Sequence, residues 1–388
     1  MRITIASGPF YPSPPAPTGA VQRYWFDLAR EFVRRGHTVH VVSSGYRGFP
    51  SHQAVDGVSI HRLMSLPHTR RVAVNLAGDL LHSVRAISAL PAADITITNC
   101  FWLPAIMSRA PSRARWGAVY VSVARVPKGQ MWLYSRVDRL HAVSSAIARW
   151  IAEERPASAT QTKVIPNPID TRHFNVDGGP TPCAAGPTKT IIYTGRIHPE
   201  KGLDILVRAL PMIRAVMPEV SLRLVGPTTV ESGGGGESFV GHLHALARGQ
   251  PVRFDPPIYD RATLATALRQ ADVYCYPSTA EKGEAAPVAP LEAMGVGLVP
   301  VCSDLPQYRD YLQDGVNGVI FDHRGEQAPR RLADALVGLL QRPERLRQMG
   351  AAAARTAAGY SNEAIASLFL EDFELLVRSR KAQSTSRP

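Results

Sequence analysis

Two glutamates eight positions apart, Glu284 and Glu292, have the types and spacing most suited to chemistry in this chain. The first lies in the Gly/Pro-rich run 283–290, the second in what reads as the first turn of a helix. About 85 residues upstream, the cluster Gly195-Arg196-Ile197-His198-Pro199-Glu200-Lys201-Gly202 follows directly on the apolar run Thr190–Thr194. An arginine and a lysine at the carboxyl end of a strand, then two carboxylates at a later loop-to-helix junction, suit an anionic, hydroxyl-rich ligand. A nucleotide sugar is such a ligand. Two solvated loops that carry charge are the alternative, and the occurrence of both clusters in this order favours the site.

The elements that must position these residues alternate between strand and helix. Strand Ile3–Ala6 and the proline-rich loop Pro9–Pro17 lead to a helix from Thr18-Gly19, with Val21, Trp25, Leu28, Ala29 and Phe32 at helical spacing. Arg34-Arg35-Gly36-His37 stops it, and Thr38–Val42 is the next strand. This order implies a right-handed parallel crossover. Further strands are expected at Ile95–Thr98, Ala118–Val123, Arg139–Val143 and Val164-Ile165, with a helix capped by Ser144-Ser145. Residues 171–189, rich in Gly, Pro and Thr, read as a linker between a domain at 1–170 and one at 190–360. The second domain is expected to have strands at Thr190–Thr194, Ser221–Val225, Pro251–Phe254, Val273–Tyr276 and Val299–Cys302. Its helices are expected at Leu203–Val216, Phe239–Ala247, Arg261–Gln270 and Pro290–Met294, and its loop Ser232–Gly236 is expected to be flexible. Helices at Arg330–Leu340 and Pro343–Ala357 follow. A last helix, 361–378, carries the apolar stripe Ile365, Leu368, Phe369, Phe373 and Leu376, which should pack back on the first domain; 379–388 reads as a disordered tail. The fold class is therefore α/β, with two tandem Rossmann-like, doubly wound domains whose crevices lie at the strands' carboxyl ends.

Composition is consistent with this. A chain of 388 residues, 45% hydrophobic and 20% charged, suits two soluble α/β domains. No apolar run approaches the ~20 residues that cross a bilayer, and no signal-peptide core precedes the first strand, so a cytoplasmic protein is expected. The four cysteines (100, 183, 275 and 302) are too scattered for a disulfide framework or a metal site. Residues 1–170 hold 20 Lys+Arg against 9 Asp+Glu, a net +11 of the total +12, so the first domain should meet an anion. No nucleic-acid-binding signature accompanies the charge, which leaves a membrane surface or an anionic acceptor. The segment Arg70–Arg85 reads as amphipathic and basic at both ends. It suits either an interfacial helix or a core-facing helix with a solvated flank.

These motifs resemble those of the family 4 glycosyltransferases, retaining enzymes of the GT-B fold. The resemblance runs from Arg2 to about Val377. It is carried by Gly195-Arg196 with Lys201-Gly202, by Glu284 with Leu291-Glu292-Ala293-Met294, by Val164-Ile165-Pro166-Asn167 with Asp170 and Phe174, and by Ala271-Asp272-Val273 leading to Pro277-Ser278. It implies transfer of a sugar from a UDP-, GDP- or similarly activated donor to a hydroxyl acceptor, lipid-linked, anionic or a small polyol. By the same resemblance Arg196 and Lys201 would grip the pyrophosphate, Glu292 the ribose hydroxyls and Glu284 the transferred sugar. Leu291 lies within the donor motif. Gly19 would let a helix amino terminus approach the phosphates, and Gly226 and Ile258 would line the base pocket. No Asp-x-Asp metal pair occurs, so no metal and no cofactor is expected: the two cations would stabilise the leaving diphosphate themselves.

The chain departs from the family pattern at three places. Gly19-Ala20 stands where Gly-Gly is common. Ala286-Pro287 replaces a Phe-Gly pair, and proline offers no N–H. The family's histidine after the strand ending near Val123 is absent from the run Ala124 to Gln130, where Arg125 and Lys128 become candidates for an anionic acceptor. These departures also admit a non-catalytic nucleotide-sugar binder. A sugar-nucleotide epimerase on the same fold would need further acids and histidines.

Overall fold

Runs of Val, Ile and Tyr with little polar interruption form the strands, as expected for parallel sheets covered on both faces. The computed structural model describes residues 1–14, 19–64, 66–69, 71–177 and 188–385, in two units. The first unit comprises Met1–Pro168 together with the segment from Asn362. Its strands are β1 (Arg2–Ala6), β2 (Thr38–Ser44), β3 (His52–Val55), β4 (Val58–Leu63), β5 (Ile95–Thr98), β6 (Ala118–Val123), β7 (Arg139–Ala142) and β8 (Thr162–Val164). They lie in the order β3-β4-β2-β1-β5-β6-β7-β8, all parallel except the β3–β4 hairpin. The chain winds outward from β1 in both directions, so the switch point falls between β1 and β5.

The second unit, Ile169–Ser361, has a fully parallel sheet. Its strands are β9 (Lys189–Thr194), β10 (Val220–Val225), β11 (Val252–Asp255), β12 (Val273–Tyr276), β13 (Pro300–Ser303) and β14 (Val319–Phe321). The order β11-β10-β9-β12-β13-β14 places its switch point between β9 and β12. Ile191, Ile192, Leu222, Leu224, Val273 and Val301 fill the core beneath the helices.

The terminal helix Asn362–Thr385 belongs to the first unit, where Ile365, Ala366, Phe369, Leu370 and Phe373 are buried against Trp25 and Phe32. Rings of Trp25 and Phe369 stand 5.2 Å apart. Asp372, 2% exposed, accepts from Arg139 Nη2 at 2.7 Å, Arg139 Nε at 3.0 Å and Tyr120 OH at 3.1 Å. Leu368, assigned to the buried stripe from spacing, is 40% exposed instead; Ala366 and Leu370 point inward.

Several boundaries differ from the sequence expectation. Phe174, inside the expected linker 171–189, is buried in the second unit's core, because its ring has apolar partners that composition does not reveal. Residues 178–187, including Cys183, lie outside the described residues. Residues 379–385 continue the terminal helix in place of a disordered tail, and 386–388 lie outside the described residues. The hairpin β3–β4 was not expected, although Asp56-Gly57, a strong turn signal, joins its strands.

Candidate active site

Gly195 and Arg196 leave the carboxyl end of β9, and Ile197 anchors the loop in the core. His198 Nδ1 accepts from Glu200 N at 3.3 Å and caps the short turn Pro199–Lys201 that leads into helix Leu203–Val216. Its nearest role is thus structural. Across the switch point, β12 delivers Pro277, Ser278 and the loop that carries Glu284. The two loops are sewn together: Thr279 N donates to Glu200 O at 2.9 Å, and a β-carbon on Gly202 would lie 2.1 Å from Pro277 O.

The centre of the site is an ion pair between Lys201 and Glu284, whose side chains are 6% and 7% exposed, with Nζ 2.5 Å from Oε1. The same carboxylate oxygen accepts from Ser278 Oγ at 2.8 Å and Tyr276 OH at 3.2 Å. Lys201 Nζ also lies 5.5 Å from the centre of the Tyr276 ring. Gln307, 1% exposed, holds the Glu284 loop by its main chain, donating from Nε2 to Glu281 O at 2.9 Å and Glu284 O at 3.1 Å. Burial, with the Glu284 charge beside them, raises the Tyr276 and Tyr308 phenols well above their usual range, so both stay neutral.

Arg196 is 43% exposed and is held from two sides, Nη2 by Glu200 Oε1 at 2.5 Å and Nη1 by Gly233 O at 3.0 Å. Glu200 Oε1 also lies 3.8 Å from Lys201 Nζ, so one carboxylate bridges both cations. A guanidinium has five N–H donors and an ammonium three, so each cation keeps donors for phosphate oxygens beyond these bonds. The glycine run after β10 is not the flexible loop expected from composition: Gly234 N, Gly235 N and Gly236 N donate to Thr229 O, Ile197 O and Thr228 O within 2.8 Å.

The other candidates distribute around this centre. Gly226 follows β10 and packs its backbone on Gly195, where a β-carbon would meet Gly195 O at 1.7 Å. Ile258 follows β11, half-buried against the core. Glu292 is half-buried on helix Ala289–Gly295, and Leu291 gives its side chain to the core. Gly19, Arg125 and Lys128 belong to the first unit. Gly19 is the amino-terminal cap of helix Ala20–Arg34, at φ 117°, and the exposed Arg125 and Lys128 sit in the loop after β6. Glu200 and Ser278 lie in the motifs read from the sequence but received no role there, and neither did Tyr276 or Gln307. Only Glu200 had a signal there, its four-residue spacing from Arg196.

The phosphatidyl-myo-inositol mannosyltransferase of Mycobacterium tuberculosis is 30% identical over 389 residues, covering 93% of this chain and 94% of the relative. Models for glycosyl transferases group 1 and glycosyltransferase family 4 match residues 184–356 and 21–173. The chain belongs to glycosyltransferase family 4. The D-inositol 3-phosphate glycosyltransferase of Kineococcus radiotolerans is 26% identical over 429 residues, covering 100% of this chain and 97% of that one. Sucrose-phosphate synthase from Thermosynechococcus elongatus superposes with a TM-score of 0.78 at 18% identity, covering 97% of this chain and 99% of that one. Anabaena HepE in complex with UDP and glucose gives 0.74 at 16% identity, covering 96% and 99%. These likenesses show that this family 4 glycosyltransferase has the GT-B fold.

Proposed function

We propose that this glycosyltransferase moves a hexose, with retention, from a UDP- or GDP-sugar to a hydroxyl of a phosphorylated inositol carried on a membrane lipid. The observation that carries the donor half is the buried Lys201–Glu284 pair at the β9/β12 switch point, with Arg196 aligned beside it by Glu200. Open α/β sheets take ligands at that point. Arg196 and Lys201 would meet the pyrophosphate; Glu284, pinned through Oε1, would present Oε2 to the sugar hydroxyls, and Glu292 would take the ribose. As the bond from anomeric carbon to phosphate oxygen breaks, negative charge grows on the diphosphate. Fixed cations in a site that excludes water stabilise that charge without reorganising. The acceptor hydroxyl forms the new bond on the same face and gives its proton to the departing phosphate oxygen. No metal or cofactor takes part in this scheme.

The acceptor half rests on two supports. The relatives' names specify phosphatidyl-myo-inositol and D-inositol 3-phosphate as their substrates. The first unit also contains a helix, Val72–Ala89, turned inside out. Its Asp79, His82 and Ser83 are buried, while Val72, Val74, Leu80, Leu81 and Val84 are 43–71% exposed. Asp79 Oδ1 accepts from Phe101 N and Trp102 N at 3.0 Å, and His82 Nε2 lies 3.0 Å from Ser7 O. An outward apolar face on a basic domain suits the surface of an anionic bilayer. Among the described residues no helix is long and apolar enough to cross one.

The test is transfer from a panel of UDP- and GDP-sugars to phosphatidylinositol vesicles and, separately, to soluble inositol phosphate. Transfer to the vesicles alone supports the lipid-linked acceptor; transfer to the soluble compound alone removes it. Nucleotide binding without any turnover would make the protein a binder.

A further inference from the structure

We infer that the glycine run Gly233–Gly235 is a positioning element for Arg196, and that Gly233 aims the guanidinium before any ligand arrives; this rests on the donor site proposed above. Gly233 closes the turn Val230–Ser232 in the left-handed region, at φ 80°, which turns its carbonyl oxygen onto Arg196 Nη1 at 3.0 Å. Gly234 and Gly235 have no room for side chains, the first against its own loop and the second against the loop that carries Arg196. A β-carbon on Gly234 would stand 2.3 Å from the Thr228 backbone, and one on Gly235 would stand 2.9 Å from Pro199 Cδ and Phe239 Cβ. Gly235 N donates to Ile197 O at 2.7 Å and Ile197 N to Pro227 O at 3.0 Å, so the two loops are one hydrogen-bonded body.

Gly233 differs from its neighbours in what an added β-carbon would meet. The nearest atom is Arg196 Cδ, at 2.9 Å, followed by Nη1 at 3.6 Å and Nε at 3.9 Å. A methyl group there therefore presses on a flexible side chain, and Arg196 is what has to move. Gly249 provides the comparison: it shares the left-handed conformation, at φ 74°, with nothing within 4 Å of its added β-carbon. Gly249→Ala thus reports the cost of the backbone conformation alone.

Titration calorimetry with UDP and GDP tests this on wild type, Gly233→Ala, Gly249→Ala, Arg196→Ala and the double variant Arg196→Ala/Gly233→Ala. Gly233→Asn is added because asparagine tolerates the left-handed region while still bringing a β-carbon. The expected result is that Gly233→Ala and Gly233→Asn weaken diphosphate binding about tenfold, while Gly249→Ala melts like Gly233→Ala and binds like wild type. In the Arg196→Ala background, Gly233→Ala should cost nothing more, since there is no guanidinium left to displace. Additive losses, or wild-type binding by both Gly233 variants, overturn the inference and leave the donor site standing. If wild type binds neither UDP nor GDP, the donor site falls and the inference with it.

Discussion

Lys201 and Arg196 share a proposed ligand but not an environment, and the difference separates their variants. Lys201 is buried against Glu284, so Lys201→Ala leaves a carboxylate without its charge partner and should cost about 3 kcal/mol of stability. Arg196 is 43% exposed, so Arg196→Ala should leave the urea midpoint nearly unmoved. Both should lower kcat about a hundredfold with UDP- or GDP-sugar, by removing stabilisation of the departing diphosphate. Wild-type turnover in either would end its assignment. His141 makes a prediction of the opposite kind, on stability without chemistry. It is buried in the first unit, with Nε2 2.7 Å from Ile165 O and Nδ1 3.2 Å from Ser122 Oγ, and burial lowers its pKa from 6.5 to about 4. Between those values the unfolded chain binds the proton and the folded one does not. Stability is then full above pH 6.5 and lost as pH falls toward about 4, by about 3 kcal/mol in all. Urea unfolding of wild type and His141→Gln from pH 7 to 4.5 should show a steeper loss in wild type, since burial also lowers the pKa of His82 and that part persists in the variant. The sequence pointed to a strand at Arg139–Val143, and His141 lies buried within it. The cluster on Glu284 was legible only in part, because Tyr276 and Ser278 reach it from the end of β12 and Gln307 from the turn Pro306–Tyr308, at spacings that carry no period.

Elements were legible where both faces of a strand are apolar and where a helix buries a regular stripe. Strands Ile95–Thr98, Ala118–Val123 and Val273–Tyr276 match the expected spans. The hairpin β3–β4 was missed because its first strand, His52–Val55, is mostly exposed and carries no hydrophobic signal. Helix Val72–Ala89 shows the limit most clearly. Its pattern is amphipathic, but which side faces inward depends on what surrounds it. Here Ser7 O and the Phe101 and Trp102 amides draw the polar side in. The exposed face should bind vesicles containing anionic lipid and not neutral ones. Leu81→Gln with Val84→Gln should reduce co-sedimentation at least tenfold while leaving the melting temperature within a few degrees. Equal binding by this variant, or no binding by wild type at low salt, would remove the membrane from the account.

At the scale of the chain, the first unit is completed by its last helix. Asp372 ties that helix to Arg139 and Tyr120, and Phe369 and Phe373 bury against Trp25 and Phe32. Asp372→Ala leaves Arg139 and Tyr120 without their acceptor and should cost about 3 kcal/mol. Amide hydrogen exchange should then accelerate in β1, β6, β7 and the terminal helix. Protection in β9 to β13 should remain, because those strands have their own core. Uniform acceleration across both units would contradict the separateness of the two cores.

The order of strands and helices and the two α/β sheets follow from local pattern, which depends on backbone propensity and on residues near in sequence. The motifs' resemblance to a family, and not that pattern, suggested that Arg196 and Lys201 share a site with Glu284, 83 residues on from Lys201. Tertiary structure alone decided that Glu200 bridges the two cations, that Gly233 holds Arg196 and that a helix shows its apolar side to solvent. Each of these depends on which atoms of distant segments come within bonding distance, and periodicity carries no record of that.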